Sequence, residues 1–163
     1  MNSEDINEAM RECAKAATIY SQDEMDHCLT SDISSIYSVE KILGQLHEKI
    51  VLSNNDPIDP ETVVTLSNLY GGFLGELFRL FLGGEWRILE EDSDAPSIVL
   101  SFQGLDYPFP SRVFHRLLGG EHNNVATYFN AVFNDCVSKL PPGRYVDTRD
   151  YRFKACRATI VTE

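Results

Sequence analysis

The chain holds no apolar run approaching the roughly 20 residues that a membrane-spanning helix needs, so passage through a bilayer by helix is excluded. It is also short of positive charge. Fourteen Lys and Arg face 25 Asp and Glu, for a formal net charge of −11 and a pI near 4.7. A general nucleic-acid binder displaces counterions with cationic surface, and this composition does not supply it. The four cysteines, Cys13, Cys28, Cys136 and Cys156, form no CxxC pair. His27 and Cys28 adjoin, but neighbouring side chains point apart and make a poor chelate. The cysteines therefore read as reduced thiols, with Cys136 a small core residue of an apolar helix. The segment MNSEDINEAM lacks the basic and apolar regions of a secretory signal, so the expected location is cytoplasmic.

Signatures of catalysis are missing as well. There is no HExxH, GxSxG, GxxxxGK[ST] or GxGxxG, and His27, His47, His115 and His122 are scattered. The GGFLG run at 71–75 is glycine-rich but lies in an apolar helical stretch, where amides beyond the first turn are already bonded and offer a phosphate nothing. Glu76 is expected to be partly buried and tied to an arginine such as Arg79, Arg87, Arg112 or Arg116. Arg112 and Arg116, four apart on one short helix, either grip an anion together or pair with acids nearby. The expectation is a protein that is not an enzyme and takes no cofactor and no metal.

Apolar periodicity is what the sequence does have. Helical spacing runs over 4–19 with a thin apolar face, and residues 21–32 read as a polar connection. A second helix is expected after Asp32 or Ser34, with Ile36, Val39, Leu43, Leu46 and Ile50 as its stripe and Gly44 as a point of close packing. Asp59, Pro60 and Glu61 form a strong start signal for a third, greasy and central helix ending at Gly83 and Gly84. Gly71, Gly72 and Gly75 inside it sacrifice helix propensity, which close approach of another chain segment would explain. The period then changes from helix to strand. A hairpin of about 86–90 with 97–102 is expected, with Trp86 as a core residue. QGLDYPFP crosses the surface, excluded by its prolines from being a helix or central strand. A short helix capped by Ser111 follows, and GGE at 119–121 launches a last one. The tail is one edge strand or an arm. Strands segregated from helices indicate an α+β fold, a mainly helical single domain of about five helices with a small antiparallel sheet of two or three strands. Its parts are 1–30 (variable N-terminal helix and connection), 31–140 (core) and 141–163 (C-terminal strand or arm).

Two segments, LGELFRLFLGGEWRI at 74–88 and FPSRVFHRLLGGE at 109–121, resemble a widespread bacterial domain of unknown function. That pattern joins an LGE helix to a GGxW strand and a later PxxVxxRLxGGE segment. It falls here on Leu74, Gly75, Glu76, Gly84, Trp86, Pro110, Val113, Arg116, Leu117, Gly120 and Glu121. The resemblance spans roughly 60–135 and implies no catalytic residues. Gly75, Glu76, Trp86, Arg116 and Glu121 are its structural motif. The chain is also loosely similar to immunity proteins, small acidic bacterial proteins encoded beside secreted toxins.

Charge adds a direction to that likeness. Residues 1–110 carry 20 acids and 6 bases, whereas 111–163 carry 5 and 8. Acids cluster at Asp23, Glu24 and Asp26 and again at Glu90, Glu91, Asp92 and Asp94. These seven are the expected contacts for another protein, a basic toxin domain, drawn in by electrostatic steering. The alternative is a non-catalytic adaptor or chaperone-like module of a secretion or regulatory complex, docking through the glycine-bearing helix or the tail. Either would work as a monomer or homodimer, without nucleic acid or membrane.

Overall fold

A computed structural model describes residues 3–52, 59–89, 97–141, 144–147 and 159–162. Helices α1 (Ser3–Glu24), α2 (Ser35–Leu52) and α3 (Pro60–Phe81) precede strands β1 (Glu85–Ile88), β2 (Ile98–Phe102) and β3 (Leu105–Tyr107). Helices α4 (Phe109–Gly119) and α5 (Val125–Ser138) follow, then strands β4 (Arg144–Asp147) and β5 (Thr159–Thr162). The fold is a mainly helical α+β domain with a three-stranded antiparallel sheet in the order β1-β2-β3.

Helix α3 is the axis of the core, as its apolar surface requires. Asp59 accepts the Glu61 amide at its start, and Gly83 and Gly84 leave its end with φ of 98° and 110°. Phe78 sits at the centre, ringed by Phe102, Tyr107, Phe109, Phe129 and Phe133 at centroid distances of 5.5–6.4 Å. The glycines on α3 do admit close neighbours. A Cβ on Gly71 would collide with the backbone of Pro110 on α4, one on Gly72 with Cys13 on α1, and one on Gly75 with the Trp86 ring. One row of the sheet, Trp86, Leu100 and Tyr107, pairs across all three strands and turns inward.

Several boundaries differ from the periodicity, each for a local reason. Helix α1 continues to Glu24 because Ser21, polar and therefore read as loop, is buried with its hydroxyl 2.8 Å from the Tyr70 hydroxyl. The connection after it is anchored rather than wholly polar, since Met25 and Leu29 are buried. LDY is a strand. Gln103 and Gly104, both at positive φ, make a two-residue turn of the kind that matches strand twist, and the prolines lie just beyond at an edge. Helix α4 starts at Phe109, not at Ser111. Pro110 fills its first turn, where a missing N–H costs nothing, and no side chain caps it. GGE does not launch α5. Glu121–Asn123 form a 3₁₀ turn, and Asn124 caps α5 by accepting the Thr127 amide at 2.9 Å. TIVT pairs antiparallel with Arg144–Asp147, so the tail contributes two strands rather than one, while 151–155 lie outside the described residues.

Candidate functional site

Helices α1 and α3 pack closely at Gly72, and their surfaces part toward solvent to leave a groove of about 410 Å³. Its floor is Ala14, Phe73, Leu77 and Leu80, its α1 wall carries Arg11, Lys15 and Thr18, and Thr30, Ser31 and Glu76 complete the rim. Two further recesses, of about 450 and 280 Å³, adjoin it, and Arg11 lines all three. Among the described residues this face combines apolar floor, charge and depth.

Behind Glu76, Trp86 braces this wall of the groove from the core. Its indole fits over Gly75, fully buried, and donates Nε1–H to Glu76 Oε2 at 3.1 Å. The same oxygen accepts from Arg79 Nη1 at 2.9 Å, while Arg79 Nε–H donates to the Gly84 carbonyl at 3.0 Å. The Trp86 backbone N–H is taken by Asn7 Oδ1 of α1 at 3.0 Å. Glu76 therefore ends with Arg79, one of the four candidate partners, in a partly buried pair that ties α3 to β1. Arg11 and Lys15 form ion pairs with exposed i,i+3 partners, Glu8 at 2.6 Å and Glu12 at 3.0 Å. Hydrogen bonding from Arg11 holds the Glu8 carboxyl below its ordinary range.

The remaining candidates separate. Arg112 and Arg116 do not form an anion grip. Arg112 lies over the Tyr128 ring at 4.2 Å, and buried Arg116 donates Nε–H to Glu40 Oε1 on α2 at 2.6 Å. Glu40 Oε2 accepts the first amide of α5, that of Val125, at 2.9 Å, and Gly44 leaves room for the guanidinium. Glu121 is exposed on the 3₁₀ turn. Asp23, Glu24 and Asp26 are exposed at the end of α1. Glu90, Glu91, Asp92 and Asp94 lie outside the described residues.

Sequence reasoning missed Glu40, Asn7, Arg11 and Lys15. For Glu40 a signal was present, because it stands one turn after Ile36 and directly after Val39 and so edges the buried stripe of α2. Cys136 is buried as expected, within 3.2 Å of the Tyr107 hydroxyl, whereas Cys28 is exposed. His47 Nδ1 lies 2.7 Å from the Leu117 carbonyl. Among the described residues no group of three His, Cys, Asp or Glu side chains is placed to hold a metal ion, and no helix is long and apolar enough to cross a membrane. Comparisons with family models, curated proteins and solved structures find no match to this chain.

Proposed function

We propose that this is a cytoplasmic protein-binding protein of the immunity type, which docks on a basic toxin domain and occludes it. The observation that carries the reading is the solvent edge of α1. Glu4, Asp5, Glu8, Glu12, Asp23 and Glu24 are all exposed along it, against two bases, and Asp26 continues the run. An acidic edge this long steers a cationic partner and fixes its approach. The acid excess over 1–110 and the family resemblance support the same direction. On this reading Glu90, Glu91, Asp92 and Asp94 extend the contact.

The test is capture of partners by the tagged protein from its native cells at low and then high salt, followed by assay of the captured partner's toxicity. A single basic partner, neutralised on binding and released by salt, is the expected result. A variant with Asp23→Asn, Glu24→Gln and Asp26→Asn should slow association severalfold, and neutralising the four acids at 90–94 should do the same. Unchanged association in both variants removes these seven acids as contacts, and unchanged association after Glu4→Gln, Asp5→Asn, Glu8→Gln and Glu12→Gln as well refutes steering by the acidic edge. The adaptor reading is favoured by one observation, the β4–β5 pair, a separate two-stranded ribbon of the kind that a partner strand can extend. Deleting 144–163 would abolish partner binding for an adaptor and spare it for an immunity protein.

A further inference from the structure

We infer that the α1–α3 groove binds a single-chain amphiphile, an unbranched alkyl chain ending in a carboxylate. Three observations on the groove converge on that chemistry. Its volume of about 410 Å³ falls in the range of small-molecule sites, and its floor is built from the apolar side chains of Ala14, Phe73, Leu77 and Leu80. The charge of its wall runs against that of the protein. On a chain of net charge −11, the charged side chains lining the groove from α1 are the cations Arg11 and Lys15, while the acids of the same helix, Glu8 and Glu12, do not line it. Among the described lining residues the one carboxylate, Glu76, accepts from Arg79 and the Trp86 indole, so two cations face a single, already hydrogen-bonded carboxylate along the groove.

Arg11 is the natural head-group contact, because it lines the apolar groove and both recesses that adjoin it. Its present partner, Glu8, is an exposed neighbour on the same helix, and exposed pairs of this type add little stability. A ligand carboxylate replaces it while the alkyl chain covers Leu77 and Leu80. A cationic or uncharged chain of the same length gains the floor but not the wall. The inference does not depend on the partner reading, since it concerns a ligand and needs no second protein.

The structure supplies a reporter. Trp86 is the single tryptophan and bonds to Glu76 on the groove wall, so a chain seated beside Glu76 perturbs its emission. The experiment titrates the full-length protein with dodecanoate below its micellar range, following Trp86 fluorescence and heat. The same titration is run with dodecanol and dodecyltrimethylammonium. The expected result is saturable one-to-one binding of dodecanoate, with affinity at least tenfold above the ammonium compound. Arg11→Gln with Lys15→Gln should erase that preference, and Leu80→Glu should abolish binding of every chain. All three positions are at least partly exposed, and circular dichroism checks that the variants fold. No saturable binding of dodecanoate, equal affinity for the three chains, or a preference unchanged in Arg11→Gln/Lys15→Gln would each overturn the inference. So would a groove already closed by self-association, seen as a dimer that Leu80→Glu converts to monomer.

Discussion

Replacing Glu40 with alanine should be among the most damaging single changes in this protein. Glu40 joins three helices. From α2 its carboxylate receives Arg116 of α4 at 2.6 Å and the Val125 amide of α5 at 2.9 Å, with the two side chains 13% and 7% exposed. Glu40→Ala leaves a buried guanidinium without its counter-charge, which costs about 3–5 kcal/mol. Against a total stability of about 5–15 kcal/mol, that is a large share, and for a chain of this size it lowers Tm by roughly 6–20 °C. Glu40→Gln should also fail to rescue, because the amide presents an N–H to one of two donors, at about 1.5–3 kcal/mol. The informative variant is Glu40→Leu with Arg116→Met. Replacing both charges by apolar groups removes the desolvation of each, so the double variant should lose only the Val125 hydrogen bond, about 1–3 kcal/mol. Urea titrations of the two singles and the double close the cycle. A double variant as unstable as the sum of the singles would refute the coupling, and a Glu40→Ala loss below about 1 kcal/mol would refute the burial argument itself.

Three further outcomes follow from particular contacts. Gly75→Ala gains about 1 kcal/mol of helix propensity but drives a methyl into the buried Trp86 ring, so urea melts should show a net loss of about 1–3 kcal/mol; a stabilised variant would contradict the packing. Burial pushes the Tyr70 and Tyr128 phenols up to about 12 and raises Tyr107 as well, from an ordinary value of 10.0. Between those values the unfolded chain gives up protons that the folded one keeps. Stability is thus fully present below pH 10 and falls as pH rises toward 12, at about 1.4 kcal/mol per unit for Tyr70 alone, and flat urea midpoints over that window would refute it. In a Cys156→Ser background, a thiol reagent should modify exposed Cys28 quickly and part-buried Cys13 slowly, burial raising its thiol, with Cys136 reacting only on unfolding; equal rates would show that the core is open.

The helices were legible because each carries its own evidence. Asp59-Pro60-Glu61 announces α3 by capping chemistry alone, and the stripe from Ile36 to Ile50 gives α2 by spacing alone. What stayed illegible depends on partners far along the chain. Ser21 looks like loop until Tyr70, 49 residues away, supplies its hydrogen bond. Leu105–Tyr107 looks like a surface crossing until it pairs with β2 as the edge strand of the sheet, a position that prolines just beyond it allow. The candidate site was half legible for the same reason. Glu76 and Trp86 drew notice as a buried carboxylate and a lone indole, but the wall that faces them is α1, whose thin apolar stripe says nothing of what it packs on.

That wall explains why the glycines of α3 fall where they do. Gly72 brings α1 close enough to form one side of a groove, and Gly75 admits the Trp86 ring behind Glu76. With the ring seated there, its N–H reaches Glu76, and Glu76 in turn fixes Arg79 against the Gly84 carbonyl. Glycine at these positions gives up about 1 kcal/mol of helix propensity each, a loss that close packing requires, because an alanine Cβ would run into Cys13 at Gly72 and into the Trp86 ring at Gly75. The same packing of α1 on α3 leaves Arg11 and Lys15 on the groove wall, each bonded to an exposed i,i+3 partner, where a ligand of opposite charge can compete for them.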